Sequence, residues 1–171
     1  VALVVFVHGE QLLVDHLDHI VGAVHLAAQE RLRAPRHREL GAHLLHRREH
    51  EQRQIRVQAG RTNLSISGAV DEAGFFYAPD PSSQLACAIG GNIGMNSGGA
   101  HCLKYGVTTN NLLGVTMVLM DGTVVELGGA HLDAPGLDLL GIVCGSEGQL
   151  GVVTEATLRI LRKPEGARPV L

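Results

Sequence analysis

The chain has few of the residue types on which nucleic-acid binding and disulfide scaffolds depend. It has no Trp and only 3% aromatic residues, which argues against a surface that stacks bases. Its formal net charge of −3 argues against a basic nucleic-acid interface. The three cysteines, Cys87, Cys102 and Cys144, form no CxxC pair, so we expect small buried thiols in a reducing compartment.

Long apolar runs are also missing. No stretch approaches the roughly 20 apolar residues that span a bilayer. The apolar opening VALVVFVHGE has no basic region before it and no clear cleavage site after it. We therefore expect no transmembrane segment, no signal peptide and a cytoplasmic location. With 45% apolar residues, the chain has enough for one folded core.

The first 54 residues lack Ser, Thr, Asn, Lys, Cys, Met and Tyr altogether, although they hold eight of the ten histidines. Helix caps and turns need Ser, Thr, Asn, Asp and Gly. We therefore expect residues 1–54 to be an atypical segment, either mistranslated or joined in error, or else genuine but divergent. His46 and His50 have a helical spacing that suits a metal, but no acidic or Cys partner accompanies them, so no metal site is expected.

From Ile55 onward the periodicity of apolar residues predicts short strands and helices. The expected elements are a strand at 55–59, a helix between Thr62 and Gly74, a strand at 75–77, a rigid turn at 79–81, a hairpin of strands 112–120 and 123–127 around Asp121-Gly122, a short helix from Pro135-Gly136 through Leu140, and a strand at 152–161 ended by Pro164.

The segment AIGGNIGMNSGGA at 88–100 has five glycines within ten residues. Such density costs backbone entropy and offers little packing. Glycine does let a backbone approach a ligand and turn its N–H groups toward an anion, and Asn92, Asn96 and Ser97 add neutral donors. The segment therefore predicts contact with a pyrophosphate or the polar edge of a flavin. The alternative is that the glycines allow a tight helix–strand crossing.

Two common nucleotide-binding patterns are absent, because the chain has neither GxGxxG nor a Gly-Lys-Ser/Thr loop. A second glycine cluster, at 145–151, surrounds Glu147. A carboxylate there could be a general base, but a lone carboxylate in a loop is more often a turn residue or a partner of backbone amides. No catalytic residue is assigned.

Several separate segments together resemble a known family. APDPSSQLACAIGGNIGMNSGGAHCLKYGVTTNNLLG is followed in order by MDGTVVELGG, DAPGLDLLG and CGSEGQLGVVTEATLRI. Over residues 55–165 they resemble the FAD-binding domain of the glycolate oxidase FAD subunit and D-lactate dehydrogenase family, which are PCMH-type flavoproteins of the vanillyl-alcohol-oxidase superfamily. The resemblance implies an α+β fold, an incomplete FAD-binding domain, mainly its second subdomain, with a mixed or antiparallel sheet and flanking helices.

The resemblance also implies non-covalent FAD and oxidation of a 2-hydroxy acid, of the glycolate or D-lactate type, to the 2-oxo acid. The family brings the chain near the isoalloxazine ring at Tyr105 and Gly106, and a flavin–histidine bond through a residue such as His101 is not expected in this group. The residues that the resemblance assigns to the cofactor are Pro79, Ser82, Ser83, Ala88, Ile89, Gly90, Gly91, Asn92, Met95, Asn96, Ser97, Gly98, Tyr105, Gly106, Glu147, Gly148, Gly151, Val152 and Val153.

Two departures from the family stand out. Residues 1–54 contain no Arg-Gly-Gly/Ala-Gly-Thr-Gly pyrophosphate loop, and no substrate cap or C-terminal histidine-rich motif lies within the sequence, so residues 166–171 would begin a missing part. We expect little or no turnover from this chain by itself. The implied partners are the hydroxy acid and an electron acceptor or iron–sulfur subunit, with membrane association through such partners. The alternatives are an inactive flavin-binding remnant or another oxidoreductase of the superfamily.

Overall fold

The computed structural model describes residues 53–129 and 136–166. The histidine-rich stretch with His46 and His50 lies outside the described residues. In chain order the elements are β1 (Gln54–Gln58), α1 (Asn63–Val70), β2 (Phe75–Phe76), α2 (Ile89–Met95), α3 (Cys102–Tyr105), a 3₁₀ helix (Thr108–Asn111), β3 (Leu112–Val118), β4 (Val124–Gly128), α4 (Leu139–Val143), β5 (Val152–Arg159) and β6 (Leu161–Arg162).

Four strands form one sheet in the order β1-β5-β3-β4, and β2 pairs with β6 in a separate ribbon. Every pairing among the described strands is antiparallel. The α+β class with an antiparallel sheet is therefore confirmed. The predicted hairpin is confirmed as well, since Gly122 has a φ of +84° and the Leu119 N–H donates to the Thr123 carbonyl at 2.9 Å. The Thr123 N–H also holds the pKa of Asp121 below its ordinary value.

The central strand β3 is buried along its whole length. Apolar side chains from three helices cover one side of the sheet, while Arg56 lies across polar residues of neighbouring strands. Its guanidinium donates to Glu155 at 2.9 Å and to the Thr116 hydroxyl at 3.1 Å. The fully buried apolar residues include Ile66, Val70, Ile89, Ile93, Met117, Leu158 and Ile160. Burial of each such side chain contributes roughly 2 kcal/mol.

Helix α1 begins where the sequence predicts, because the Thr62 hydroxyl accepts a hydrogen bond from the Ser65 N–H at 3.2 Å. It ends at Val70, four residues before the predicted stop at Gly74. Gly74 instead follows a separate turn, with a φ of +78°. Among the described residues, no helix is both long and apolar enough to cross a membrane.

Two predicted elements are displaced. The helix expected to end at Leu140 is α4, which begins at Leu139 after the Asp138 side chain accepts the Gly141 N–H at 2.9 Å. Pro135 lies outside the described residues. The strand expected over 152–161 is divided, because β5 ends at Arg159 and the chain turns to pair with β2.

Candidate functional site

The glycine-rich segment folds into α2 and a following loop, a helix that the sequence did not predict. The helix ends at Asn96, which has a left-handed φ of +47° and whose N–H donates to carbonyls one turn earlier in the helix. Glycines 90, 91 and 94 therefore lie within helical backbone. What each glycine contributes depends on the atoms that surround it.

The surroundings divide these glycines into two groups. A Cβ at Gly90 would stand 3.0 Å from the Cβ of Ala59, so this glycine serves the tight helix–strand crossing that was the alternative interpretation. A Cβ at Gly98 would stand 2.9 Å from Val107, and one at Gly99 would overlap the backbone of Asp80. Gly91 is exposed, and no atom outside the backbone of its own helix and its chain neighbours lies within 4 Å of where its Cβ would be. Gly91 alone of these four leaves open space.

Some main-chain N–H groups of this segment are hydrogen-bonded within the protein, and others are not. The N–H groups of Gly90, Asn92 and Ser97 donate to the carbonyls of Ala59, Ala88 and Asn92 at 2.9 to 3.1 Å. The N–H groups of Gly91, Gly98 and Gly99 donate to no acceptor in the described part of the chain. The expectation that the segment offers main-chain donors to a ligand is thus narrowed to these three amides.

The second glycine cluster meets the end of α2. The Gly145 N–H donates to the Ile93 carbonyl and the Glu147 N–H to the Gly94 carbonyl, both at 2.8 Å. The Glu147 bond satisfies a carbonyl that the end of a helix leaves unpaired, and the Ile93 carbonyl also accepts the Asn96 N–H. A Cβ at Gly94 would stand 3.7 Å from the Gly148 nitrogen. The fold therefore brings together the two glycine clusters.

Within this second cluster, the residues differ in what they offer. Glu147 has a left-handed φ of +55° and an exposed side chain, which fits the turn interpretation. Gly148 has a φ of +78° and nothing within 4 Å of a Cβ. A Cβ at Gly151 would overlap the Val118 carbonyl, so the sheet itself requires this glycine. Val152 and Val153 are half-buried strand residues paired with β3.

The side chain of Asn92 points into the protein, which corrects the expectation that it is a donor to a ligand. It is only 4% exposed, and its Nδ2 donates to Asn63 Oδ1 at 2.7 Å and to Cys87 Sγ at 3.4 Å. Asn63 in turn donates from Nδ2 to the Pro79 carbonyl at 2.8 Å. This buried network ties α1, α2 and the turn at 79–81 together. Pro79 and Ile89 are buried too, so their side chains are not open to a ligand.

The Asn63 network makes a prediction about stability. In Asn63→Asp, a carboxylate oxygen would replace Nδ2 and face the Pro79 carbonyl. We expect a loss of about 2 kcal/mol in the free energy of unfolding at neutral pH. Burial would raise the pKa of this carboxyl, and the protonated acid can donate to Pro79 again. The loss should therefore be small below pH ~4 and grow as pH rises.

Urea unfolding of the wild type and the Asn63→Asp variant, at neutral pH and at about pH 4, checks this expectation. Asn110→Asp is the matched control, because the exposed Asn110 accepts the Val107 N–H through Oδ1 at 3.0 Å and an aspartate keeps that acceptor. A loss in Asn63→Asp that did not change with pH would contradict the assigned direction of the Asn63 amide.

The loop after α2 is fastened to the 3₁₀ helix. Asn96 Oδ1 accepts the Thr109 N–H at 3.0 Å and the Cys144 thiol at 3.5 Å. The Ser97 carbonyl accepts both the N–H and the hydroxyl of Thr108, at 3.0 and 2.7 Å. Burial raises the pKa of the Cys144 thiol, so it stays protonated near neutral pH. Asn96 and Ser97 thus hold the loop in place through these contacts.

The Tyr105–Gly106 segment is held from several sides. The Tyr105 ring meets Phe76 edge-on at 5.7 Å between centroids, and Lys104 Nζ lies 5.0 Å from its centre. The buried Asn111 donates from Nδ2 to the carbonyls of Tyr105 and Val107, both at 3.0 Å. Asn111 was not among the residues predicted from the sequence, where only the TTNN run before an apolar strand marks its position.

Asp80, which the sequence predicted only as part of the rigid turn at 79–81, forms a pair with His101. Asp80 Oδ2 lies 2.5 Å from His101 Nδ1, and Asp80 Oδ1 accepts the His101 N–H at 3.2 Å. No periodic pattern joins two residues 21 positions apart, so only the fold shows this contact.

The remaining predicted residues lie at the surface or close to it. Ala88 is half-buried, Ser82 and Ser83 are exposed, and Met95 is 64% exposed. Two open clefts, of about 410 and 270 Å³, lie along β1 and α1 and on the outer face of the sheet, away from these residues. These four predicted cofactor residues therefore lie on an open surface and line neither cleft.

Metal and disulfide chemistry are not indicated in the described part of the chain. No group of three or more His, Cys, Asp or Glu side chains there could hold a metal ion. Cys87, Cys102 and Cys144 are all free thiols, but only Cys144 is buried, so the expectation of burial is wrong for the exposed Cys102 and only partly right for Cys87.

Comparison with known proteins gives matches in sequence and in fold. Residues 40–128 match the family model of the FAD binding domain. Over 119 residues the chain is 55% identical to glycolate oxidase subunit GlcD of Escherichia coli (strain K12), covering 70% of this chain and 24% of that protein. It is 35% identical over 112 residues to D-lactate dehydrogenase of Anaerostipes hadrus, covering 65% and 23%.

A solved structure of alkyldihydroxyacetonephosphate synthase superposes with a TM-score of 0.60 at 26% identity, over 68% of this chain and 21% of that one. The chain thus spans about a quarter of the length of the curated relatives described above.

Proposed function

Because this chain belongs to the FAD binding domain family, we propose that it is the cofactor-binding part of a flavoprotein that oxidises a 2-hydroxy acid to the 2-oxo acid. Its likeness to glycolate oxidase subunit GlcD carries the proposal, and the likeness to D-lactate dehydrogenase keeps glycolate and D-lactate both as candidate substrates. The family resemblance seen in the sequence and its FAD cofactor are confirmed by the family match.

The residues present fit this cofactor. FAD offers a pyrophosphate and flavin carbonyls, which are hydrogen-bond acceptors. The amides of Gly91, Gly98 and Gly99 have no acceptor within the described residues, and the exposed hydroxyls of Ser82 and Ser83 are further neutral donors. The open space at Gly91 leaves room for a ligand against the backbone of α2.

We assign the predicted cofactor residues to two layers. Those that offer open space or donors at the surface would contact FAD, and those engaged inside the protein would form the frame behind them. The contacting layer is Ser82, Ser83, Gly91, Met95, Gly98, Tyr105 and Gly148. The frame is Pro79, Ala88, Ile89, Gly90, Asn92, Asn96, Ser97, Gly106, Glu147, Gly151, Val152 and Val153.

When bound, FAD supplies the redox step by accepting a hydride equivalent from the carbinol carbon of the hydroxy acid. The task of this chain is to bind and orient. The bonds from Asn111 to the carbonyls of Tyr105 and Val107 fix the backbone between them, so this segment needs little reorganisation on binding. The FAD-binding domain is proposed to occupy residues 55–165.

Partner subunits are part of the proposal. The E. coli relative is named as a subunit of glycolate oxidase, so the relative acts within an assembly. We propose that the protein containing this chain likewise passes electrons to a partner, either an iron–sulfur subunit or another electron acceptor. A second candidate activity, that of another oxidoreductase or synthase of the same superfamily, is favoured by the superposition on alkyldihydroxyacetonephosphate synthase at 26% identity.

Titration of the purified chain with FAD tests the proposed cofactor function. We expect saturable quenching of flavin fluorescence and a shifted visible absorption band. FMN lacks the adenosine half and one of the two phosphates, so it should bind more weakly than FAD. A protein that stays colourless and leaves flavin fluorescence unchanged at high FAD concentration would refute FAD binding by this chain.

A further inference from the structure

We propose that Asp80 and His101 are a pair of positioning residues that clamps two cofactor-contacting loops together. The clamp joins the turn at 79–83, which carries Ser82 and Ser83, to the loop at 97–101, which carries the amides of Gly98 and Gly99. The inference rests on the proposed function, because it assumes that these loops contact FAD.

The contact itself is made at two points. The Asp80 carboxylate accepts the His101 N–H at 3.2 Å and lies 2.5 Å from the ring nitrogen Nδ1. A hydrogen bond to an ionised carboxylate is stronger than one between neutral groups. The Asp80 side chain is only 23% exposed, so it is partly shielded from water, whereas the His101 side chain is 68% exposed. Gly99 lies so close to Asp80 that a Cβ there would overlap the aspartate backbone.

Each loop also has an anchor of its own, and the Asn63–Asn92 bond links the turn at 79–81 to α2 but not to the loop at 97–101. The turn at 79–81 is held to α1 by Asn63, and the loop after α2 is held to the 3₁₀ helix by Thr108. Asp80 and His101 are the described side chains that join one loop to the other. The His101 carbonyl also accepts the N–H groups of Lys104 and Tyr105, so the clamp sets the start of α3 as well.

The two ring nitrogens of His101 distinguish a clamp from a direct contact with the flavin. If His101 acts by its bond to Asp80, only its Nδ1 matters. If it touched the cofactor directly, Nε2, the ring nitrogen that Asp80 does not contact, would matter. An asparagine amide stands near the position of Nδ1, and a glutamine amide near that of Nε2. His101→Ala, His101→Asn and His101→Gln therefore distinguish the two roles.

Hydrogen exchange of the cofactor-free chain is the first measurement. We expect the hydrogen-bonded amides of residue 101, Lys104 and Tyr105 to exchange about fivefold faster in His101→Ala than in the wild type. His101→Asn should restore protection, and His101→Gln should not. Leu103→Ala is the matched control, because Leu103 on the neighbouring helix is 101% exposed and should change nothing. Unchanged exchange in His101→Ala would overturn the clamp.

FAD titration of the same variants is the second measurement. We expect about fivefold weaker FAD binding in His101→Ala, rescue by His101→Asn and no rescue by His101→Gln. Rescue by glutamine alone would replace the clamp with a direct contact. If even the wild type bound no FAD, the proposed function would fail for this chain, while the exchange measurement would still decide whether the two loops are clamped.

Discussion

Replacing Gly99 with alanine is expected to lower the free energy of unfolding by about 3 kcal/mol, a fall in Tm on the order of 10 °C. The added Cβ would overlap the backbone carbonyl and the side chain of Asp80. A flexible side chain could move away, but the backbone at this turn is held by the Pro79 carbonyl bond to Asn63 and by the rigid ring of Pro81. The strain therefore has no inexpensive route of relaxation.

Thermal and urea unfolding of the chain without cofactor measure this effect. Gly60→Ala is the control, since nothing lies within 4 Å of a Cβ there and Gly60 has no left-handed φ. We expect Gly60→Ala to leave Tm unchanged or to raise it slightly, because alanine restricts the unfolded chain. Equal Tm values for Gly99→Ala and the wild type would mean that the two loops lie farther apart than the structure places them.

The part of the fold that sequence predicted well is the sheet. The apolar run before Asp121-Gly122 predicts a hairpin, and β3 and β4 form it. The register was not fixed by the dipeptide, because Val118 pairs with Val124 and the loop has three residues, Met120 to Gly122, with Gly122 at the left-handed position. Helix α2 was missed because glycine is a poor helix former, and three of the seven residues of α2 are glycine. Contacts with Ala59 and capping by the second glycine cluster stabilise it, and neither is visible in local sequence.

The sequence predicted which segments form the candidate site, but not which of their residues are packed inside the protein and which are open to a ligand. Counting glycines identified both clusters, and the fold brings them together. Sequence could not show that Gly90 and Gly151 are required by packing while Gly91 is open, because that depends on the strands behind them. The inward direction of Asn92 was missed for the same reason, since its partner Asn63 lies 29 residues earlier.

Because some of these glycines are required by packing, a loss of FAD binding on substitution does not by itself show that the glycine contacts FAD. A valine at Gly151 would overlap the Val118 carbonyl, so lost FAD binding in that variant would follow from a disturbed sheet. The same objection applies to Gly98 and Gly99. Only a glycine whose substitution the protein itself tolerates can report on the ligand, and Gly91 meets that condition.

In Gly91→Val we therefore expect FAD binding at least about tenfold weaker with little change in Tm. Overpacking against a ligand costs about 1–3 kcal/mol, and about 1.4 kcal/mol corresponds to a tenfold change in affinity. The helix itself should tolerate valine, which is no worse than glycine in helical backbone. Fluorescence titration with FAD and thermal unfolding of the apoprotein give the two quantities, and Gly91→Ala should show a smaller loss of affinity.

Gly68→Val is the matched control for Gly91→Val. Gly68 is also helical and exposed, with no atom within 4 Å of a Cβ, but it lies in α1, which carries no predicted cofactor residue. The two substitutions are alike in helix propensity and in exposure, so they differ only in what lies outside the helix. If Gly68→Val kept wild-type affinity while Gly91→Val lost it, FAD would have to lie against α2. Equal affinities in both variants would instead place the cofactor away from this helix and remove the contacting layer assigned to it.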